Sequence, residues 1–554
     1  MRFMGVRVVP MALLAAYTAL LLFDLERFPA INPDEPGYAE PAWTLITRGE
    51  FGAPMYAGMF GMEHRTYTNW PGRGVATILP YLLLGPTLFS ARLVSVATAV
   101  LLALLSAILL RRVLERPLVW VDWLALVAVM TCPVVVSAGR FARPEIDVAA
   151  WTMAMLVCLE AQARAENGFR RHAWAMSGGV CAGLAFTMHQ YGLVSLGAGF
   201  VIMVSPLRSA LRTRLHGVAW LASGTALAVS PWAMFILSDL PEFQLQLEAQ
   251  LAFQAWRYPT ASLGYALANE IPGRYLLDRQ DYAADWDAWA DAGRLLLPTV
   301  STTEAWWPLR FAVRVARRPM ELGPLVLDRV WWMGIVLVVV GISVLAVLRS
   351  RFTHHASILL IPTLAWAFAI AMVPNKWLGY AVTLIVIVGL SGYVLISRQA
   401  RVFPIHRRCI KLSLTLTILL NAFALIAAWA DAQPSSKSVV DALHAAIPVG
   451  TRVLIPAREW YAFVGRNSVI GLDGRSLPQY GTTLVRSVSD FKVDYLVLGR
   501  NRSAVDSPYY WVSQDDVEWV EFVRARTELA HTINDGADGV IEVRRVVGGL
   551  EREQ

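Results

Sequence analysis

The sequence contains little charge for its length. Only 16% of its 554 residues are Asp, Glu, Lys or Arg, whereas a soluble protein has about a quarter. Hydrophobic residues account for 56% of the chain. This composition excludes a soluble globular fold for most of the chain.

Cysteine is also scarce. Of the four cysteines, three lie in apolar runs and one lies in an arginine-rich loop; they are Cys132, Cys158, Cys181 and Cys409. None of them falls in the segments that we predict to lie on the external side of the membrane. A disulfide framework is therefore not expected.

Several familiar catalytic motifs are absent from the sequence. It has no Walker phosphate-binding loop, no HExxH zinc motif, no dinucleotide-binding fingerprint and no GxSxG nucleophile turn. Their absence argues against ATP-driven transport and against hydrolysis of the kind that soluble enzymes perform.

Long apolar runs, by contrast, are abundant. Leu93–Leu110, Val119–Val136 and Met333–Leu348 are almost free of charge, and a helix needs roughly twenty such residues to cross the hydrocarbon core of a bilayer. The pattern predicts an α-helical polytopic membrane protein with about eleven spans. The predicted spans are residues 8–23, 91–110, 118–137, 147–162, 174–190, 192–206, 217–238, 328–348, 356–373, 378–396 and 412–430.

The basic residues predict how these spans are oriented. The net charge is +7, but the arginines cluster in short loops between apolar runs, which is the positive-inside pattern and not a nucleic-acid-binding surface. Placing these loops inside puts the N-terminus in the cytoplasm. It also puts residues 24–90, 239–327 and 431–554 outside, with a short turn at Arg140–Glu145. Val75–Phe89 is then a re-entrant or interfacial helix, because a span there would move every later basic loop outside.

The composition changes at Asp431, where the C-terminal segment begins. After a linker, a helical pattern at Val439–Ala446 precedes four strand-like runs. These runs are Arg452–Ile455, Val469–Leu472, Val493–Leu498 and Gly539–Val543. The alternation predicts a soluble α/β domain at residues 431–554, after a transmembrane domain at residues 1–430.

Two acidic residues, Asp34 and Glu35, lie in the first predicted external loop, within the segment NPDEPGYAE at 32–40. One interpretation is structural: Asp34 caps a helix whose first turn favours acidic residues. The other is catalytic: a carboxylate pair just outside the membrane accepts a proton from an incoming hydroxyl group. The two interpretations are compatible.

A second group of charges lies in the turn GRFARPEID at 139–147. Glu145 and Asp147 stand at the start of an apolar helix, where a carboxylate is costly without a partner or a function. Arg140 and Arg143 lie against the positive-inside trend. They pair with these carboxylates, bind a phosphate, or are paired surface charges at the end of a span.

Two further groups stand at predicted outer ends of spans. His189 is either a packed, hydrogen-bonded histidine or a ligand. Lys376 is one of only four lysines, and it is either an interfacial anchor or a phosphate contact. The carboxylates and His189 are compatible with a divalent metal ion, although no ligand spacing requires one.

Taken in order, these motifs resemble those of the GT-C membrane glycosyltransferases. The set begins with the external Asp-Glu, a Trp-Pro-Gly element before a short helix, and Ala-Arg-Leu at the start of span two. It continues with the Arg-Pro-acidic turn, Thr-x-His-x-x-Gly and Asn-Lys-Trp-x-x-Tyr. The resemblance is greatest to the branch of protein O-mannosyltransferases and the lipid A aminoarabinose transferase. It covers residues 1–430, whereas the tail matches only loosely.

The resemblance implies roles for individual residues. Asp34 matches the family's first-loop acid, which makes it the expected general base, with Glu35 and Glu145 as supporting acidic residues. Glu145 stands where relatives usually have Asp, and the segment NWPG at 69–72 stands where many have Lys-Pro-Pro. The expected ligands of the donor phosphate lie at the outer ends of spans. They are Arg92, Arg140, Arg143, His189, Lys376 and Tyr380.

The implied function is that of an inverting glycosyltransferase in the plasma (inner) membrane. It would move a sugar from a polyprenyl-phosphate donor to a hydroxyl of a lipid, glycan or protein acceptor on the extracytoplasmic side. Membrane lipids are expected partners and nucleic acid is not. The alternative is a transporter or lipid flippase, but transporters usually place charged sites near the bilayer midplane, and these acidic groups gather at the outer boundary. A membrane-anchored scaffold would leave the external acidic motifs unexplained.

Overall fold

The structure, a computed structural model, describes most of the chain outside one long segment. The described residues are 2–29, 31–67, 70–204, 211–257, 358–359, 361–366, 382–399, 404–430, 436–472, 483–499, 517–534 and 540–547.

Helices make up the membrane part of the described chain. Up to residue 257 they are α1 (Arg2–Leu22), α2 (Asp34–Arg48), α3 (Pro71–Leu84), α4 (Leu88–Leu114), α5 (Trp120–Met130), α6 (Pro133–Ala138), α7 (Glu145–Arg164), α8 (Gly168–Met188), α9 (Gly192–Val204), α10 (Leu211–Leu237) and α11 (Leu240–Arg257). Two later helices are α12 (Val382–Gln399) and α13 (Pro404–Ala430).

The apolar helices coincide with predicted spans. Four described helices are long and apolar enough to cross a membrane: Leu88–Leu114, Glu145–Arg164, Leu211–Leu237 and Arg408–Trp429. Shorter apolar helices occupy other predicted spans; they are Pro10–Leu22, Trp120–Met130, Gly192–Val204 and Val382–Val394. The span predicted at 328–348 lies outside the described residues, and the span at 356–373 is described only in part.

The span predicted at 118–137 is two helices and not one. α5 ends at Met130 and α6 begins at Pro133. Proline has no N–H group to continue the hydrogen-bond ladder of the preceding turn, so the helix stops and restarts there.

The short apolar segment predicted to be interfacial forms α3. It has 14 residues, or about 21 Å of helix, which is too short for a hydrocarbon core of about 30 Å. Its residues Leu79, Leu82 and Leu83 are exposed. Such an apolar face suits a helix that lies in the membrane interface.

Glycines allow α8 and α10 to pack closely. A Cβ atom at Gly179 would lie 2.0 Å from the carbonyl oxygen of Leu221, and one at Gly224 would lie 2.1 Å from that of Met176. Small residues commonly permit such approach between membrane helices. This packing fixes α8, after which His189 follows.

The C-terminal part contains one mixed sheet with the strand order β2-β1-β3-β5-β4. The strands are β1 (Arg452–Ile455), β2 (Ser468–Gly471), β3 (Tyr495–Gly499), β4 (Thr527–Asn534) and β5 (Val540–Val546). β1 pairs in parallel with β2 and β3, whereas β5 pairs antiparallel with β3 and β4. The accompanying helices are α14 (Ser436–Ala446), α15 (Trp460–Phe463), α16 (Leu484–Asp490) and α17 (Val517–Arg526). The predicted α/β fold class of the C-terminal part is confirmed, with β4 as a strand that was not predicted.

The core of this domain includes a residue from the first predicted external loop. Met55, in the 3₁₀ turn Pro54–Tyr56, is buried with Trp460 and Phe463 of the C-terminal segment. A Cβ atom at Gly471 would lie only 3.0 Å from the carbonyl oxygen of Met55. The boundary predicted at residue 431 therefore separates two parts of the chain that pack together, the first predicted external loop and the C-terminal segment.

Candidate functional site

Polar side chains converge at one end of the helical bundle. This site end is formed by the end of α1, the starts of α4 and α7, and the end of α8. α2 carries Asp34 and Glu35 in its first turn. Side chains of the turn between α6 and α7 reach both the end of α1 and Asn32, just before α2. The two acidic motifs, which are over a hundred residues apart in sequence, thus lie side by side.

Glu35 is enclosed by hydrogen-bond donors. Arg92, in the first turns of α4, donates from Nε to Oε2 at 2.9 Å and from Nη2 to Oε1 at 2.7 Å. The backbone N–H groups of Asn32 and Ala142 donate to the same carboxylate at 2.8 and 2.7 Å. Neither side chain of the ion pair is exposed to solvent. This bidentate pair therefore fastens α2 to α4.

Arg92 and Arg140 also donate to backbone carbonyl oxygens. Arg92 donates from Nη1 to the carbonyl oxygens of Leu25 and Pro29, both at 2.8 Å. Arg140 is also fully buried, and all five N–H bonds of its guanidinium are directed at carbonyl oxygens. The acceptors, at 2.7–3.0 Å, are Leu20, Leu21, Phe23, Asp24 and Phe28. Because the last carbonyls of a helix lack intrahelical partners, Arg140 acts as a cap for α1.

Arg143 joins the two acidic motifs. Its Nε donates to Oε1 of Glu145 at 2.9 Å, and its Nη1 donates to Oδ1 of Asn32 at 3.0 Å. The same Nη1 is paired with the carboxylate of Asp34. Asn32 Oδ1 also accepts the backbone N–H of Asp34 at 2.9 Å. One guanidinium thus contacts both the first turn of α2 and the first turn of α7.

The acidic residues differ in their access to solvent. The side chain of Asp34 is 49% exposed, whereas that of its neighbour Glu35 is fully buried. Glu145 is 6% exposed and lies against Arg143. Asp34 is therefore the one of these three carboxylates that a substrate can approach.

A further buried ion pair, between Arg73 and Asp147, was not predicted from the sequence. Arg73, in the first turn of α3, donates from Nη1 to Oδ2 of Asp147 at 3.0 Å. Its Nη2 donates to the carbonyl oxygen of Ala91 at 2.7 Å. The available signal was an arginine that opens a short apolar helix, directly after the segment 69–72. This pair holds α3 against the starts of α4 and α7.

His189 follows α8 and lies near Arg143, with which it interacts electrostatically. Its Nδ1 accepts the backbone N–H of Tyr191 at 3.3 Å, so the neutral ring carries its proton on Nε2. The start of α3 closes over this position, because a Cβ atom at Gly72 would lie 2.8 Å from the carbonyl oxygen of Thr187. His189 is thus held beside the guanidinium that joins the acidic motifs.

Glu40 is another buried carboxyl group that the sequence analysis did not select. Nε1 of Trp460 donates to its Oε1 at 2.9 Å, and the backbone N–H of Met55 lies 3.1–3.2 Å from its two oxygens. Burial raises the pKa of Glu40 to about 8, although these hydrogen bonds and Arg48 act to lower it. Trp460 is 420 positions further along the chain, and no local pattern announces such a contact.

Most of the predicted site residues lie at the site end. They are Asp34, Glu35, Arg92, Arg140, Arg143, Glu145 and His189. Lys376 and Tyr380 lie outside the described residues, and their roles stay predictions. In the part of the chain that the structure describes, no group of three or more His, Cys, Asp or Glu side chains is arranged to hold a metal ion.

A family model matches the part of the chain that contains this site. The model of dolichyl-phosphate-mannose-protein mannosyltransferases matches residues 10–247. No curated protein sequence matches the chain.

Solved structures match over nearly the full length. ArnT from Cupriavidus metallidurans in the apo state is 14% identical with a TM-score of 0.56, and the match covers 97% of this chain and 97% of that chain. The same protein bound to undecaprenyl phosphate is 14% identical with a TM-score of 0.56, covering 98% of this chain and 99% of that chain. The oligosaccharyltransferase of Archaeoglobus fulgidus with zinc and sulfate is 15% identical with a TM-score of 0.52, covering 88% of this chain and 67% of that chain.

These similarities confirm both the resemblance and the predicted fold class. The fold similarity extends over the C-terminal domain, and the range matched by the family model, residues 10–247, contains every predicted site residue that the structure describes. The chain is therefore an integral membrane protein with the GT-C glycosyltransferase fold, and its N-terminal part carries the pattern of the dolichyl-phosphate-mannose-protein mannosyltransferases.

Proposed function

We propose that this protein is an inverting glycosyltransferase that moves a sugar from a polyprenyl-phosphate donor to an acceptor hydroxyl. The observation that carries the proposal is Arg143, which lies between the half-exposed carboxylate of Asp34 and the buried one of Glu145. A phosphate leaving group needs cations, and an acceptor hydroxyl needs a base. ArnT, which has the same fold, has been solved with undecaprenyl phosphate, and this supports a lipid phosphate as the leaving group.

Asp34 is the proposed general base. Its exposed carboxylate can accept a proton from the acceptor hydroxyl while the hydroxyl oxygen attacks the anomeric carbon. The bond from that carbon to the phosphate oxygen breaks, and the phosphate leaves with the electron pair. A single displacement of this kind inverts the anomeric configuration. Glu35 does not suit the same task, since four donors already enclose its carboxylate.

Arg143 is the proposed main ligand of the donor phosphate, with His189 beside it. Arg143 is paired with Asp34 in the structure. The phosphodiester of the donor carries one negative charge, as the carboxylate of Asp34 does, and offers two oxygens to the guanidinium fork, so it competes with Asp34 for Arg143. Donor binding would thereby release the base toward the acceptor. Glu145 keeps the guanidinium oriented from the other side.

Arg92 and Arg140 are assigned a positioning role in place of the phosphate contacts expected from the sequence. Arg140 donates all its N–H groups to backbone carbonyls, and Arg92 is paired with Glu35. These contacts set the ends of α1, α2 and α4 around Asp34. Lys376 and Tyr380 stay proposed donor ligands on the resemblance alone.

We also propose that the site end faces the extracytoplasmic side of the plasma (inner) membrane. The arginines at the ends of α4 and α7 lie at the opposite end, as positive-inside topology requires. Single cysteines at Glu26, exposed at the site end, and at Glu166, exposed between α7 and α8, test this orientation. In a chain with Cys409 replaced by serine, an impermeant thiol reagent should label only Glu26→Cys in intact cells. Labelling of Glu166→Cys alone would reverse the orientation.

The function itself is tested with purified protein and a panel of undecaprenyl-phosphate-linked sugars. Lipid, glycan and peptide acceptors are each supplied. One donor should be consumed with release of undecaprenyl phosphate, and the product should have the inverted anomeric configuration by NMR. Retained configuration would contradict a single displacement. If undecaprenyl phosphate itself does not bind, the proposed donor class is wrong.

A further inference from the structure

We propose that the C-terminal domain positions Asp34 by holding α2 through a hydrogen bond between Trp460 and Glu40. This Glu40–Trp460 contact makes Trp460 and Glu40 positioning residues for the base. Its catalytic consequence rests on the proposed function, whereas the hold on α2 does not.

The contact is polar and buried on both sides. Trp460 and Glu40 have almost no exposed surface, and the indole N–H lies 2.9 Å from Oε1 of Glu40. The backbone N–H of Met55 supplies the other donor at 3.1–3.2 Å. A buried carboxyl group that lacks donors is costly. Glu40 therefore requires the C-terminal domain to be seated on α2.

Apolar packing reinforces the same contact. Trp43 lies three residues after Glu40, on the same face of α2, and packs against the core of the C-terminal domain. Its ring would lie 3.7 Å from a Cβ atom at Gly465. Tyr461 in turn packs against the cluster that joins α2 to α3 and α4. Side chains thus cross between the two parts in both directions.

The other face of α2 belongs to the membrane part. Glu35, Ala39 and Ala42 follow a spacing of four and three residues, which puts them on one face. Ala39 and Ala42 pack with Tyr81, and Glu35 is paired with Arg92. α2 is therefore held from two sides, by the bundle at Glu35 and by the C-terminal domain at Glu40.

This geometry connects the C-terminal domain to the proposed base. Asp34 begins α2, and Glu40 lies about 9 Å further along the helix axis at 1.5 Å per residue. If the hold at Glu40 is lost, α2 can tilt about its anchor at Glu35, and Asp34 then moves relative to Arg143. A catalytic group must stay within about 0.5 Å of its productive position, so a small tilt is sufficient to slow the reaction.

The test compares three variants of the full-length protein in detergent or nanodiscs. Glu40→Ala removes the acceptor, Trp460→Phe removes the donor, and Glu40→Gln keeps an acceptor oxygen and serves as the conservative rescue. Hydrogen exchange of the α2 amides, turnover, and affinity for undecaprenyl phosphate are measured. Glu40→Ala and Trp460→Phe should speed α2 exchange about tenfold, the effect of one lost hydrogen bond to a carboxyl group. Both should lower kcat without weakening the affinity for undecaprenyl phosphate, whereas Glu40→Gln should stay near wild type.

Trp519→Phe is the matched control. Trp519 is a buried tryptophan of the same domain, but it stacks on Phe522, with ring centroids 5.8 Å apart, in a separate apolar cluster that includes Leu484 and Val488. Its replacement should leave α2 exchange unchanged. Equal effects of Trp519→Phe and Trp460→Phe, or normal α2 exchange in Glu40→Ala, would overturn the inference. Exchange needs neither donor nor acceptor. An inactive wild type with the expected exchange pattern would therefore refute the proposed function and support the hold on α2.

Discussion

The two ends of the helical bundle use arginine in different ways. At the site end, the guanidinium groups are buried and donate to carboxylates and backbone carbonyls; these arginines are Arg92, Arg140 and Arg143. At the opposite end, the ends of α4 and α7 border an open cavity of about 560 Å³. The arginines that line it are Arg111, Arg112, Arg116 and Arg164. Arg164, for example, is paired with Glu160 but stays 40% exposed.

This difference between the two ends shows that arginine contributes in two ways, through its charge and through the direction of its N–H groups. At the opposite end, which we propose faces the cytoplasm, a positive charge beside water is sufficient to keep a loop on that side of the membrane. At the site end, what counts is the number and direction of the N–H groups, which only a guanidinium supplies. Substitutions should therefore be costly at the site end and tolerated at exposed arginines of the opposite end such as Arg111. Arg116 is an exception at that end, because it is paired with the buried carboxylate of Asp122.

The largest loss of stability is expected for Arg92→Ala. This change leaves the carboxylate of Glu35 buried without its charged partner, which typically costs about 3–5 kcal/mol. Thermal or denaturant unfolding in detergent measures the loss, with Arg111→Ala as the control at the opposite end. Equal losses in the two variants would remove the distinction between the ends.

Arg143→Ala should have the largest effect on donor binding. Loss of one partner of a buried charge pair weakens binding by about 2–5 kcal/mol, and the probe is undecaprenyl phosphate. Arg112→Ala, which removes an arginine from the opposite end, should leave the affinity unchanged. Normal affinity in Arg143→Ala would mean that the phosphate binds elsewhere.

A buried carboxyl group at the site end should make stability depend on pH. Glu40 has a pKa of about 8 in the folded protein because burial favours its neutral form, against about 4.3 for an unperturbed glutamate. Between these values the folded state holds a proton that the unfolded state has lost, so stability falls as pH rises and levels off above the folded pKa.

Glu40→Gln removes this dependence. Relative to wild type, the variant should gain about 2 kcal/mol between pH 5.5 and pH 7, at 1.36 kcal/mol per pH unit. Unfolding at the two pH values measures the gain. The control is Glu115→Gln, because Glu115 is exposed at the opposite end. A flat difference between Glu40→Gln and wild type would show that Glu40 is ionised throughout this range.

The smallest effect is expected at the opposite end. Arg111→Lys keeps the positive charge at an exposed position, so stability should change by no more than about 0.5 kcal/mol. Arg140→Lys is the matched variant at the site end, where three ammonium N–H groups cannot replace five guanidinium ones. If both lysine variants are equally stable, the cap on α1 contributes little.

Much of the helical fold was predictable because membrane spans are apolar throughout. α4 and α7 cover the spans predicted at 91–110 and 147–162 with extensions at their ends. The break before Pro133 was missed because the run is apolar on both sides. β4 was missed because its large apolar residues, Leu529 and Ile533, are four apart and not two. This segment is a strand because it pairs with β5. The local sequence does not indicate that pairing.

The location of the site was more predictable than the roles of its residues. Successive spans cross the membrane in opposite directions, so motifs at alternate span ends lie on the same side of the membrane. The motifs at the starts of α2 and α7 do lie together. The sequence does not indicate which backbone carbonyls Arg140 caps, since every residue has a backbone carbonyl group. Glu40 and Trp460 were missed for a related reason: their contact depends on how the C-terminal domain seats on α2.

The central claim is that Asp34 is the base, whereas the buried carboxylates beside it, Glu35 and Glu145, only hold position. The most direct measurement is the turnover of Asp34→Asn together with its affinity for undecaprenyl phosphate, on one preparation. Asparagine keeps the size of the side chain but cannot accept the proton, so turnover should fall about 10²–10⁴-fold. Affinity should stay equal or become tighter, because the carboxylate no longer competes with the phosphate for Arg143. Near-normal turnover in Asp34→Asn, with turnover abolished in a donor-binding Glu145→Gln variant, would contradict the claim and move the base to the start of α7.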